Sequence, residues 1–92
     1  MDAAERANQA DAIFIELLKR WTEQGRKVSV NPNPHNYAPT HFARQPEAAG
    51  LTPKDLAAAM ERLLRDRLIE NRTVTRRGGE TRSYLAIALE GA

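Results

Sequence analysis

Cysteine is absent from the chain, which excludes disulfides and every thiolate metal site. Histidine is nearly absent too. His35 and His41 lie six residues apart with no ligand spacing around them, and Glu47 is the nearest acid in sequence. No metal and no cofactor is therefore expected. No uninterrupted apolar stretch approaches a membrane span, so no membrane partner is expected either. The start, Met-Asp-Ala-Ala-Glu, lacks the basic opening and apolar centre of a signal peptide; a cytoplasmic location is the default expectation.

The usual signs of catalysis are missing as well. There is no G-x-x-x-x-G-K-[ST] phosphate loop, and neither Ser29 nor Ser83 sits in a G-x-S-x-G setting. Gly78-Gly79 is not followed by a helical pattern, so it is a turn and not a phosphate cradle. Glu61 and Asp66 fall on a helix surface beside Arg62 and Arg65, without a pocket to raise a carboxyl pKa. An enzyme is not expected.

What is present fits one small domain spanning residues 1–92. The net charge of +2 is unevenly placed. Residues 1–24 carry Arg6, Lys19 and Arg20 against Asp2, Glu5, Asp11, Glu16 and Glu23, a balance of −2. Residues 62–82 carry Arg62, Arg65, Arg67, Arg72, Arg76, Arg77 and Arg82 against Asp66, Glu70 and Glu80, a balance of +4. A polyanion is the natural partner of that second region.

Hydropathy and punctuation predict the element order. Residues 3–24 read as a long helix with a stripe of Ile13, Phe14, Leu17, Leu18 and Trp21, weakly extended by Ala7 and Ala10, and capped by Gly25. Trp21 lies on the stripe and is expected in the core. The first ten residues are alanine-rich and polar. Two readings stand for them: a frayed end, or a contact through Ala3, Ala7 and Ala10 that makes a homodimer. Val28 and Val30 alternate around Ser29 as a brief strand. Asn31-Pro-Asn-Pro-His-Asn36 is a loop, and Pro39 opens a short helix over residues 40–45 that Pro46 must end.

The stretch from Leu51 to Ile69 is the best written. Thr52 suits an N-cap, Pro53 the first helical position and Asp55 the capping-box acid. Leu56, Met60, Leu63 and Leu64 then share a face, with Lys54, Ala58, Glu61, Arg62 and Arg65 mostly opposite. The helix is expected to reach about Asp66; with Asp66-Arg67 where a glycine would often stand, two endings are open: it runs on slightly, or it ends without a left-handed cap. Residues 68–75 and 81–89 read as two strands joined at Gly78-Gly79. Leu85, Ile87 and Leu89 alternate with Tyr84, Ala86 and Ala88 in the second.

Helix, short strand, two helices and a terminal hairpin describe an α+β winged helix-turn-helix. The third helix would be the recognition helix and the hairpin the wing. Val28 to Val30 would pair with the wing to complete a three-stranded sheet.

The segments FIELLKRWTEQGRKVSVNP and NYAPTHFARQPEAAGLTPKDLAAAMERLL, with the Arg-rich hairpin, resemble the C-terminal winged-helix region of phage- and plasmid-type RepA-like replication ATPases. The resemblance runs from about Phe14 to Tyr84. Its sharper parts are Tyr37-Ala-Pro39, Phe42-Ala43 and Pro46-Glu-Ala48. It implies DNA binding in the replication or regulation of a mobile element, with a replication ATPase as a further partner.

A helix in a major groove turns its N-terminal half to base edges, here Thr52, Lys54 and Ala58. Arg62 and Arg65 are expected at phosphates. Arg76 and Arg77 would enter a minor groove or sit on phosphates, with Arg72 and Arg82 widening the basic surface. The helix also carries Asp55, Glu61 and Asp66 and has no Asn or Gln for adenine. Duplex contact dominated by the wing, with limited sequence specificity, is the expectation. The alternative is a winged helix that docks on a protein partner through the same arginines.

Overall fold

The stripe at residues 10–21 of the sequence becomes the central buried face of the protein. In the computed structural model, which describes residues 3–30, 37–75, 77–79 and 81–88, the first helix α1 spans Ala3–Glu23 and buries Ala10, Phe14, Leu17, Leu18 and Trp21. It ends in a Schellman motif at Gly25, whose φ of +75° suits glycine. The Arg26 amide donates to the Trp21 carbonyl at 2.8 Å, and the Gly25 amide to that of Thr22 at 3.0 Å.

Helix α2, Ala38–Ala43, is opened by Pro39 and followed by a 3₁₀ turn at Pro46–Ala48. It starts two residues earlier than expected, because Tyr37 serves as the N-cap residue. Its anchor is Phe42, fully buried. The Phe42 ring stands edge-on to Phe14 at 4.9 Å and to Trp21 at 5.2 Å, the geometry that aromatic quadrupoles favour.

Helix α3, Pro53–Arg65, contributes Leu56, Ala59, Met60 and Leu63 to the same core. Its start is the expected capping box. The Thr52 hydroxyl accepts from the Asp55 amide at 3.1 Å, and the Asp55 carboxylate accepts from the Thr52 amide at 2.9 Å.

Its end differs from the expectation. Arg67 takes the left-handed conformation with φ +62°. The Leu68 amide donates to the Leu63 carbonyl at 2.9 Å, and the Arg67 amide to that of Leu64 at 3.1 Å. The helix thus closes with a complete Schellman motif built on arginine instead of glycine. The turn is needed because the chain must reverse at once into a strand whose first residue, Ile69, is buried.

Strands β1, Ile69–Thr75, and β2, Thr81–Ile87, form an antiparallel hairpin with Ile69 opposite Ile87 and Thr75 opposite Thr81. Cross-strand partners share a face. Ile69, Ile87 and Leu85 turn toward the helices; further out, Thr73 opposite Ser83 and Thr75 opposite Thr81 continue that face. The other face carries Glu70 with Ala86, Arg72 with Tyr84 and Val74 with Arg82.

The expected third strand is not part of the described sheet, which has two strands. Val28 is buried and its carbonyl accepts from the Leu85 amide at 2.8 Å, so one ladder bond forms. Ser29 then gives its carbonyl to the Ala38 amide at 3.0 Å, in a parallel bridge with Tyr37. Its backbone is committed to the start of α2 and cannot continue along β2. The expected loop at residues 31–36, with His35, and the expected strand end at Leu89 lie outside the described residues.

The result is an α+β fold of three helices and a two-stranded antiparallel sheet, compatible with a small winged-helix-like arrangement. No helix among the described residues is long and apolar enough to cross a membrane.

Candidate nucleic-acid interface

Because α3 buries Leu56, Ala59, Met60 and Leu63, its helical period turns Lys54, Ala58, Glu61 and Arg65 to the opposite side. All four are exposed. Thr52, at the head of that face, is exposed at the N-cap, with its hydroxyl engaged by Asp55. Lys54 has no acidic partner among the described residues. Arg65 has only the Asp66 carboxylate, 3.9 Å away, with both side chains well exposed.

Arg62 stands apart from this set. It lies on the flank of α3 that meets α1, and its guanidinium forks onto Asp11. Nε lies 3.1 Å and Nη2 2.7 Å from Asp11 Oδ1, and Nη2 also donates to the Ala7 carbonyl at 3.3 Å. The guanidinium expected at a phosphate thus forms an internal clamp between two helices, to a residue 51 positions away in sequence. Arg6 does the same one end further along, donating to Asp55 through Nε at 3.1 Å and Nη2 at 2.6 Å. These bonds, and those from Thr52, hold the Asp55 carboxyl well below the usual carboxylate range. Arg20 is likewise engaged, with Glu47 and with Glu16. The first turns of α1 are therefore docked on α3. The stripe of Ala3, Ala7 and Ala10 lies on one face of α1; Ala10 is buried and the Ala7 carbonyl accepts from Arg62, while Ala3 is exposed.

The hairpin carries the remaining basic residues. Arg72, at its base, donates to Glu70 through Nε at 2.9 Å and to the Ile87 carbonyl at 3.4 Å. Its pKa is raised, chiefly by the Glu70 carboxylate, and it stays charged at any accessible pH. Arg77 is exposed in the turn, beside Gly78 and Gly79 with φ of +89° and +84°. Both glycines have open space around them, so the tip can approach a surface closely. Arg76 and the side chain of Arg82 lie outside the described residues; the Arg82 backbone pairs with Val74. Thr73, Thr75, Thr81 and Ser83 are all exposed, which gives the projecting part of the hairpin a hydroxyl-bearing face.

Three basic residues were not singled out from sequence. Arg67 is exposed where α3 turns into β1. Arg26 lies over the Trp21 ring at 3.8 Å, and Lys27 Nζ lies 4.8 Å from the Tyr84 ring, both within cation–π range. A narrow cleft of about 70 Å³ runs between them, lined by Thr22, Gly25, Arg26, Lys27, Tyr84 and Leu85. The alternation of Tyr84 with Leu85 was the available signal; the arrival of residues 26–27 beside β2 depends on the chain reversal at Gly25. His41 is half-buried with its ring 5.8 Å from Trp21, a packing position at the edge of the core.

Among the described residues, the outer face of α3 and the hairpin present cations and hydroxyls to solvent. Comparison with known protein families, curated proteins and solved structures finds no match to this chain.

Proposed function

We propose that this chain is a winged-helix DNA-binding module that contacts duplex DNA through the outer face of α3 and an Arg-rich wing. One observation carries the reading: the division of the cations. Arg6, Arg20 and Arg62 are each engaged with an acid on a facing element. Lys54, Arg67 and Arg77 have no acidic partner among the described residues, and Arg65 has only a distant one. Among the described residues Lys19 and Arg44 also lack an acidic partner, and Arg26 and Lys27 lie on aromatic rings, but the outer α3 face, the turn after it and the hairpin gather four cations without a close acid, Lys54, Arg65, Arg67 and Arg77. Affinity comes mainly from phosphates, because Lys54 is the one cation in the first two turns of α3 and no amide side chain is there to read adenine. The resemblance to RepA-like replication ATPases supplies the setting, replication or regulation of a phage- or plasmid-type element. A fused or neighbouring ATPase gene supports replication; a divergent promoter beside an isolated gene supports regulation.

The test is a fluorescence-anisotropy titration of labelled duplex at about 50 and about 200 mM salt. Four phosphate contacts predict a fall in affinity of about 10² between the two. Replacing both Arg76 and Arg77 with alanine should weaken binding at low salt. No binding at low salt, or full binding by that double variant, refutes the proposal and leaves docking on an acidic protein surface as the competing reading.

A further inference from the structure

The two edges of the hairpin are not alike. The outer edge of β2 is met by Val28, whose carbonyl takes the Leu85 amide. The outer edge of β1 is met by no other described strand. Its seven residues, IENRTVT, are exposed except for Ile69 and the partly covered Arg72. The two large exposed hydrophobic residues among those described are Leu68 and Val74, 50% and 37% accessible, and they sit just before β1 and near its end. A groove of about 290 Å³, lined in part by Leu64, Arg67, Ile69 and Asn71, runs beside the first half of the strand.

Hydrogen-bond parity says which groups the edge offers. The Ala88 amide donates to the Leu68 carbonyl at 3.1 Å, so Leu68, Glu70, Arg72 and Val74 turn their main-chain groups toward β2. Ile69, Asn71, Thr73 and Thr75 turn theirs outward. The Leu85 amide, opposite Asn71 and directed away from β1 to Val28, agrees with this parity.

From this we infer that β1 pairs with β1 of a second copy of this chain, antiparallel about a two-fold axis at Asn71, giving a continuous four-stranded sheet. A two-fold contact places the same strand against itself in opposite directions, and the parity restricts the axis to a few positions. An axis at Glu70 sets Glu70 against its own copy; one at Arg72 sets two arginines together. Like charges directly opposite are destabilising. An axis at Asn71 pairs Ile69 with Thr73 and Asn71 with Asn71 as hydrogen-bonding partners. It places Glu70 opposite Arg72 of the second copy, and Leu68 opposite Val74 of the second copy. Both exposed hydrophobic residues are then covered by each other. The existing Glu70–Arg72 pair, at 2.7 Å, becomes half of an alternating quartet of charges. Glu70 and Arg72 thereby disfavour the two adjacent registers, with axes at Glu70 and at Arg72, and only the axis at Asn71 sets Leu68 against Val74. This dimer is independent of the DNA-binding proposal, and its readouts contain no nucleic acid.

Sedimentation equilibrium of the full chain should give about twice the 10.3 kDa chain mass. Since the chain lacks cysteine, the variant carrying both Leu68→Cys and Val74→Cys reports the register directly. The two positions are too far apart along one strand to bridge within a chain. Air oxidation should therefore yield a covalent dimer from the double variant and none from either single one. Glu70→Arg should weaken the dimer at least about tenfold, and adding Arg72→Glu should restore it. A monomer at all concentrations overturns the inference. So does a dimer that ignores Glu70→Arg and fails to cross-link, which would place the contact on another face.

Discussion

Replacing Asp11 with Asn, Arg62 with Met, and both together measures the clamp between α1 and α3. The two side chains are 29% and 30% accessible, so the pair lies between a solvated bridge and a buried one. Exposed pairs contribute about 0.2–1 kcal/mol, and breaking a buried one costs about 3–5 kcal/mol. The forked geometry, with contacts of 2.7 and 3.1 Å, favours the upper part of the exposed range and beyond. A coupling energy of about 1–1.5 kcal/mol is expected. For 92 residues the unfolding entropy is about 0.2 kcal/mol/K, so each such loss lowers Tm by about 5–8 °C. The assay is a double-mutant cycle by urea unfolding followed by Trp21 fluorescence. Asp11→Asn should weaken stability nearly as much as Arg62→Met, and the double variant little more than either. Strictly additive losses, with coupling below about 0.3 kcal/mol, would refute the clamp.

Arg67→Gly should raise Tm, with a gain of about 0.5–1 kcal/mol, because the left-handed turn that ends α3 costs an L-residue more than glycine; a fall in Tm would show that the Arg67 side chain contributes more than its backbone strain. Asp55→Asn tests the acid limb of stability. Its folded pKa is depressed, so its contribution is fully present above the ordinary aspartate pKa of about 3.9 and fades as pH falls below it. The Tm gap between the parent and Asp55→Asn should therefore close on going from neutral pH into strong acid, and a gap independent of pH would contradict the bonds from Arg6 and Thr52. Arg65→Ala should reduce duplex affinity and the salt slope by about one contact, whereas Arg62→Met should leave both nearly unchanged wherever the domain is folded; the reverse ranking would mean that the clamp opens on DNA.

Local chemistry was readable wherever one segment determined its own conformation. Thr52-Pro-Lys-Asp55 wrote its capping box in four consecutive residues, and Gly25 marked the end of α1. The stripe from Phe14 to Trp21 identified the core face, because spacing alone decides which side of a helix is apolar. What escaped depended on partners distant in sequence. Arg62 sits at the border between the faces of α3, and its direction was decided by Asp11 on another helix. A wheel that sorts residues into two sides cannot register a third, facing side. Val28 to Val30 had strand composition, but the Ser29 carbonyl went to Ala38, a choice made by how the chain enters α2. At Arg67 a glycine was the expected signal for a left-handed turn. The demand came instead from Ile69, which must reach the core immediately after α3. Of the basic set proposed from sequence, Lys54, Arg65 and Arg77 are exposed, whereas Arg62 is paired with Asp11.

In the function proposed above, duplex DNA meets the outer face of α3 and the hairpin. Amide chemical-shift mapping of the isotope-labelled full chain, titrated with a short duplex at low salt, tests it most directly. Shifts should concentrate at Lys54, Ala58 and Arg65 and in the hairpin around Thr73–Ser83, with the outer side of α1, at Glu16 and Glu23, unmoved. Shifts confined to α1, or none in the hairpin, would contradict it.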